Sequence, residues 1–113
     1  MMDSRSHQVA DLLLLIEAEL RRQGYWASQA PSIERLASRE PFCVDTLSLV
    51  EWLQWILLPR MHQLLEEGAP LPDASAIAPM AQHSFAQQGV SAPGLIALLE
   101  QFDALLSDAA SVS

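Results

Sequence analysis

The sequence predicts an all-α protein, a four-helix bundle with one additional short helix. Three observations carry this expectation. Apolar residues recur at helical spacing in four long stretches, prolines and glycines punctuate the joins between them, and no segment shows sustained two-residue alternation bounded by hairpin turns. Half of the 113 residues are apolar and 18% are charged, enough core formers for one helical domain over residues 1–113, with frayed ends at 1–5 and 108–113.

Val9, Leu12, Leu13, Ile16 and Leu20 form the apolar face of the first helix, with Asp11, Glu17 and Arg21 on other faces. Ser4 or Ser6 is placed to cap it, and it ends near Gly24. Tyr25 and Trp26 follow and fold back on it. Pro31 and Glu34 suit the start of the short helix, expected at residues 31–38 and carrying Ile33 and Leu36. Pro41 breaks the chain, and Asp45 or Thr46 is placed to cap a third, long helix.

Plotted at about 100° per residue, Leu49, Val50, Trp52, Leu53, Ile56, Leu57, Met61 and Leu64 share one arc of that helix. Ser48, Glu51, Gln54, Trp55, Leu58 and His62 fall on the rest. Pro59 lacks the N–H that would bond the Trp55 carbonyl and crowds that carbonyl, so the helix is expected to kink or restart there. Gly68 closes it, and residues 69–73 form a stiff connector. Ile77, Met80, Ala81, Ser84 and Phe85 mark a fourth helix with Pro79 in its first turn, ending at Gly89. Ser91 is placed to cap the last helix, whose stripe is Leu95, Leu98, Leu99, Phe102, Leu105 and Leu106.

Charge removes several function classes. Apart from three histidines, counted neutral, every basic side chain is an arginine, and residues 1–60 carry eight acids against six arginines, whereas residues 61–113 carry six acids and no arginine or lysine. A formal charge of −8 without lysine is unsuited to neutralising phosphates, so neither direct nucleic-acid binding nor attraction to an anionic membrane is expected. The apolar run Leu12–Ile16 lies between Asp11 and Glu17 without a basic n-region, and the run 47–58 contains Glu51 and Gln54 and falls short of the ~20 residues of a membrane span. One cysteine forms no internal disulfide, and a cytoplasmic location is expected.

The residue types that carry chemistry are few. Arg60 lies at the angle of Leu49, Leu53 and Ile56 on a straight helix, where it needs a carboxylate or carbonyl partner; Asp45, Glu51 and Glu40 are near in sequence. It reads as a structural arginine near the Pro59 break, or else as an anion-binding guanidinium at a pocket mouth. Trp26 and Trp52 read first as core fillers, while Trp55, on the polar side, reads equally as part of an inter-helix groove or contact patch. His62 and Glu66 at i and i+4, even with His83, are too few for a metal site, so no metal or cofactor is expected. Cys43 reads as a small buried hydrophobe rather than a nucleophile. Arg21, Arg22, Arg35 and Arg39 make a basic patch only if they share a face. Phosphate loops, nucleophile elbows and zinc-protease motifs are absent from the sequence.

Pro41-Phe42, Asp45-Thr46, Glu51-Trp52-Leu53-Gln54-Trp55, Pro59-Arg60-Met61-His62, Pro70-Leu71-Pro72 and Pro79 together resemble the YqcC-like family of small bacterial proteins. The resemblance covers nearly the whole chain and is most specific from Trp52 to Met61. It implies an all-α fold and a contextual association with tRNA pseudouridine synthase C, whose gene commonly lies beside those of the family. It implies no active site: pseudouridine synthases use a catalytic aspartate within a mixed α/β fold, and the place of Asp45 before a long helix is explained by capping. No intrinsic pseudouridine synthase activity is therefore expected.

The leading expectation is a non-enzymatic interaction module that docks a protein partner through Trp55 and Arg60, with Glu51 and His62 beside them. A tRNA pseudouridine synthase is the contextual candidate partner, and self-association as a homodimer is the nearest variant. The alternative is a small-ligand binder whose pocket is closed by Trp26, Trp52 and Trp55 and keyed by Arg60 to an anionic group. An enzyme using Cys43, or His62 with His83, comes third.

Overall fold

The computed structural model describes residues 5–40, 46–72 and 74–111, the last four of them by backbone alone. Its elements in chain order are α1 (Ser6–Arg22), α2 (Ile33–Leu36), α3 (Leu49–Trp52), a π-helical turn (Leu53–Leu57), α4 (Leu58–Glu67), α5 (Ile77–Gln88) and α6 (Pro93–Ser111). No strand occurs among the described residues. Since α3, the π turn and α4 run on from one another, the architecture is four main helices and one short one.

Helix α1 carries the inward stripe that the spacing predicts: Val9, Leu13, Ile16 and Leu20 are fully buried. Its beginning differs from expectation. No side chain caps it, Ser6 is its buried first residue, and Ser4 lies outside the described residues. Arg5, placed by the sequence in a frayed end, instead donates from its guanidinium to the carbonyls of Leu106 (2.9 Å) and Pro72 (3.2 Å). At the other end Gly24 adopts φ 78°, which is open to glycine without steric cost, and Tyr25 N–H closes back on the Leu20 carbonyl at 2.8 Å. That closure swings Tyr25 and Trp26 against the core, as their positions predict. The same closing bond ends α4 after Gly68 and α5 after Gly89.

Helix α2 is a single turn, shorter than the predicted 31–38, capped by Ser32 with Pro31 outside it. Ile33 is 85% exposed, so α2 contributes little to the core. Its role is to carry Arg35, which donates to the Thr46 carbonyl and to Glu51, while the Thr46 hydroxyl donates to the Arg35 carbonyl. Thr46 is thus not the cap of α3, and Asp45 lies outside the described residues. Ser48 is the cap: its Oγ accepts from Glu51 N–H and its own N–H donates to Glu51 Oε1, a complete capping box.

Helix α6 packs against α1 and α5, and α4 closes the other side of α1. Ala78 and Ala81 are buried on α5, small enough to let it approach closely, and Phe102 is the largest fully buried side chain among the described residues. The start of α5 has no local side-chain cap; Asp103, from α6, supplies one across the fold. Its carboxylate accepts from Ile77 N–H (3.0 Å), Ala78 N–H (2.7 Å) and the Ser75 hydroxyl. Ser91 is not adjacent to the helix it was expected to cap: α6 opens on Pro93, and Ile96 N–H bonds the Ala92 carbonyl. The backbone of α6 stays helical to Ser111, past the frayed end expected from residue 108.

Candidate functional site

Pro59 has no N–H for the carbonyl one helical turn before it, and its ring occupies the space that carbonyl needs. The chain responds by widening rather than breaking: Leu58 N–H bonds the Leu53 carbonyl, five residues back, and α4 restarts with Pro59 in its first turn. One extra residue in the turn rotates everything after it by roughly 100° relative to a straight helix. Leu58, predicted outward, is 2% exposed; Arg60, predicted inward, is exposed. The inward angle that a straight helix gives Arg60, with its need for a carboxylate or carbonyl partner, is corrected by this rotation.

The same turn shapes a cleft of about 410 Å³ between α1 and the 26–28 segment on one side and the π turn and start of α4 on the other. Trp26, Ala27, Trp55, Leu58 and Pro59 supply its apolar walls, and Glu17, Ser28, Gln54 and His62 its polar ones. Gln54 fixes the geometry. Only 4% exposed, its amide pairs reciprocally with the backbone of Ala27, accepting from the N–H and donating to the carbonyl, each at 2.8 Å. A side chain here does what a neighbouring strand does, and holds an otherwise irregular segment against the helix. Arg21 lies 4.4 Å from the centre of the Trp26 ring and donates to Glu17 at 3.0 Å, so the rim carries a stacked, paired cation. Trp55 is half-buried, but its indole N–H is removed from solvent and has no acceptor among the described residues. A buried donor without a partner costs about 1–3 kcal/mol.

The structure therefore separates the residues that the sequence grouped. Trp26, Trp55 and His62 meet in this cleft. Trp52 packs on the core beside it without lining it. Glu51 is engaged by Ser48 and Arg35; burial pushes its carboxyl up, but the Ser48 amide and the Arg35 guanidinium outweigh that and hold it below the usual carboxylate range. Arg60 borders a second groove of about 280 Å³ with Leu57, Met61, Pro72, Ser75 and Ile77, and no anion-binding guanidinium lines the tryptophan cleft. Arg21, Arg22 and Arg35 are paired with Glu17, Glu19 and Glu51, so they form no free basic patch. Among the described residues no three His, Cys, Asp or Glu side chains converge as metal ligands. Cys43 lies outside the described residues. Gln54 and Asp103 are the functionally placed polar residues that helical angle did not flag; only the Ser48–Glu51 spacing carried a local signal for its role.

The model of the DUF446 family, described as tRNA pseudouridine synthase C, matches residues 8–105. The chain belongs to that family. Among its relatives, the protein of Escherichia coli strain K12 named "Uncharacterized protein YqcC" is 41% identical over 99 residues, covering 88% of this chain and 91% of that one. An uncharacterized protein of Haemophilus influenzae is 40% identical over 73 residues, or 65% of this chain and 69% of the relative. The solution NMR structure of YqcC from E. coli superposes with a TM-score of 0.82 at 38% identity, over 98% of this chain and 95% of that one. The resemblance read from the proline and tryptophan positions, and the all-α fold it implies, are thereby shown. A DUF446 segment also matches within a much longer protein: tRNA pseudouridine synthase C of Pectobacterium carotovorum is 46% identical over 69 residues, which are 61% of this chain and 18% of that protein. Among the described residues no helix is long and apolar enough to cross a membrane.

Proposed function

We propose that this protein is a non-enzymatic accessory module that docks onto a tRNA pseudouridine synthase through the face carrying the Trp26–Trp55 cleft. The observation behind this reading is the match of a DUF446 segment to 18% of a protein named tRNA pseudouridine synthase C. A module found within one chain and also as a separate chain is suited to acting beside the same enzyme. Residue chemistry supports an accessory role. Asp103 is committed to the α5 backbone and Asp11 is exposed on α1, so neither sits in an enclosed pocket where a uridine could be held and attacked. The acidic body suits an enzyme whose tRNA-binding surface must be basic, and it leaves the RNA to the enzyme. Both proteins then share the cytoplasm.

The test is calorimetry of the purified chain against the tRNA pseudouridine synthase C of the same organism, together with a tRNA pseudouridylation assay on each alone. A complex is expected, with no conversion of uridine by this chain by itself. Absence of a complex at about 100 µM, an interaction weaker than roughly −5.5 kcal/mol, would refute the reading. So would uridine conversion by the chain alone. Sedimentation of the free chain separates this from the homodimer.

A further inference from the structure

We infer that this chain pairs with a second copy of itself through the outer stripe of α1, the two helices lying antiparallel with Leu14 of each against Ala18 of the other, and Asp11 against Arg21. The pairing goes beyond the docking reading and does not rest on it, since no residue of the tryptophan cleft belongs to the stripe.

Helix α1 buries Val9, Leu13, Ile16 and Leu20 on one side and leaves Leu14 and Leu15 on the other, 62% and 51% exposed. Among the described residues only Ile33 joins them as an exposed large apolar side chain. The residues in line with Leu14 identify what covers it. His7, Asp11, Leu14, Ala18 and Arg21 are all exposed and follow one another at spacings of four and three, the seam of a coiled coil. Turned antiparallel about a two-fold axis level with Ile16, two such seams meet in complementary layers. Leu14 faces the small Ala18 and Asp11 faces Arg21, each contact being made twice. A parallel pair would set Asp11 against Asp11 and Arg21 against Arg21, so charge selects the antiparallel arrangement.

Both charges are available for it. Asp11 is exposed and has no hydrogen-bond or ion-pair partner among the described residues. Arg21 holds Glu17 through Nε and stacks on Trp26, yet its side chain stays 56% exposed, which leaves the donors of its terminal nitrogens for an incoming carboxylate. The apolar part of the face continues onto α6. Gly94 lies against the Glu19 carboxylate, and Gln101 and Leu105 line a groove of about 330 Å³ with Gln8, Asp11 and Leu12. Helix α6 therefore runs antiparallel beside α1, and half-buried Leu98 falls level with Leu15. A contact about 26 Å long, one helix and a shoulder wide, lies near the roughly 1,000 Å² at which specific interfaces begin. That area suits a reversible dimer with a Kd of about 10–100 µM.

The test is sedimentation equilibrium of the full chain from about 5 to about 500 µM in roughly 0.15 M salt, where a Debye length of ~8 Å screens the repulsion between two bodies of charge −8. The wild type is expected to pass from monomer to dimer across that range. Leu14→Glu, at an exposed position outside the core, should stay monomeric throughout with an unchanged circular dichroism spectrum. Asp11→Arg and Arg21→Glu should each weaken the dimer about tenfold, because each turns two attractive contacts into repulsive ones. An equimolar mixture of the two should regain the wild-type affinity, its heterodimer restoring both pairs. A wild type that remains monomeric at the highest concentration would overturn the inference. A dimer that Leu14→Glu leaves intact uses another face and would overturn it too, as would a mixture no tighter than its separate components. The wild-type series and the Leu14→Glu comparison decide the matter even if Arg21→Glu, which also releases Trp26, perturbs its own surroundings. Because the dimer and the synthase complex use different residues, the failure of one leaves the other standing.

Discussion

Replacing Gln54 with alanine removes both hydrogen bonds to Ala27, and with them a side chain that pins the 26–28 segment by reciprocal bonds to its backbone. Each neutral hydrogen bond contributes about 1 kcal/mol net. The Ala27 amide and carbonyl left behind are half-buried, so water recovers part of the loss rather than none. Adding the packing of a side chain that is 4% exposed brings the expected cost of Gln54→Ala to about 2–3 kcal/mol. For a chain of 113 residues that is a fall in Tm of roughly 8–12 °C, read by circular dichroism at 222 nm. Q54E separates the hydrogen-bonding argument from packing. It retains an acceptor for the Ala27 amide but sets a carboxylate against the Ala27 carbonyl, so the folded state raises its pKa above the unfolded value of about 4.3. A raised pKa means stability that is fully present below pH ~4.3 and lost as pH rises through the folded value. Q54E should therefore approach the wild type at pH 4 and fall well below it at pH 7. A Tm change under about 2 °C for Gln54→Ala, or a pH-independent gap for Q54E, would refute the clamp.

Two further outcomes follow from polar groups that hold elements together. Asp103→Ala deprives the start of α5 of two amide acceptors and the Ser75 hydroxyl of its partner, with an expected loss of about 2–3 kcal/mol in urea unfolding; Asp103→Asn, keeping one acceptor, should lose about half as much. Glu51→Gln should lose about 1 kcal/mol at pH 7, discounted for the 43% exposure of Arg35. Because the folded carboxyl of Glu51 titrates below its usual range, its contribution is present above pH ~4.3 and disappears as pH falls through the lower folded value, so the two proteins should converge in acid; a gap persisting there would contradict the assignment.

The helices were legible because their signals are local. Val9, Leu13, Ile16 and Leu20 announce α1 by spacing alone, and Gly68 and Gly89 mark two helix ends. Local reading also placed Pro59 at a discontinuity. It did not show the form of the discontinuity, since a kink, a break and a widened turn all answer a missing N–H. The site was legible only as a set of residue types. Trp55 is distinguished from Trp52 by angle, and that part carried through; the grouping of Trp55 with Arg60 required knowing the rotation between them. Gln54 and Asp103 act on backbone groups 27 and 25–26 residues away, and no spacing in the sequence reports which distant amide a side chain will meet. Ile33, carried by the short helix expected at residues 31–38, stays exposed because the helix is a single turn with too little reach to bury it.

The π turn decides the character of the site, and the energies show why the chain accepts it. A straight helix would place Pro59 in its interior, at about 3 kcal/mol or more. It would also turn Leu58 outward, forfeiting about 2 kcal/mol of burial, and turn Arg60 into the core, where a charge without a partner costs several kcal/mol. Against these stands only the poorer hydrogen bonding of one widened turn. Proline and packing thus push the same way. The rotation that keeps Arg60 in water is also the one that divides the surface in two: Arg60 faces the α5 junction, while Trp55 stays with Trp26 and the Gln54-pinned segment. An aromatic cleft with no unpaired cation in its lining recognises neutral apolar groups far better than anions. The choice between a peptide-docking face and an anionic-ligand pocket, open in the residue list, is therefore weighted by a single inserted residue in one helical turn.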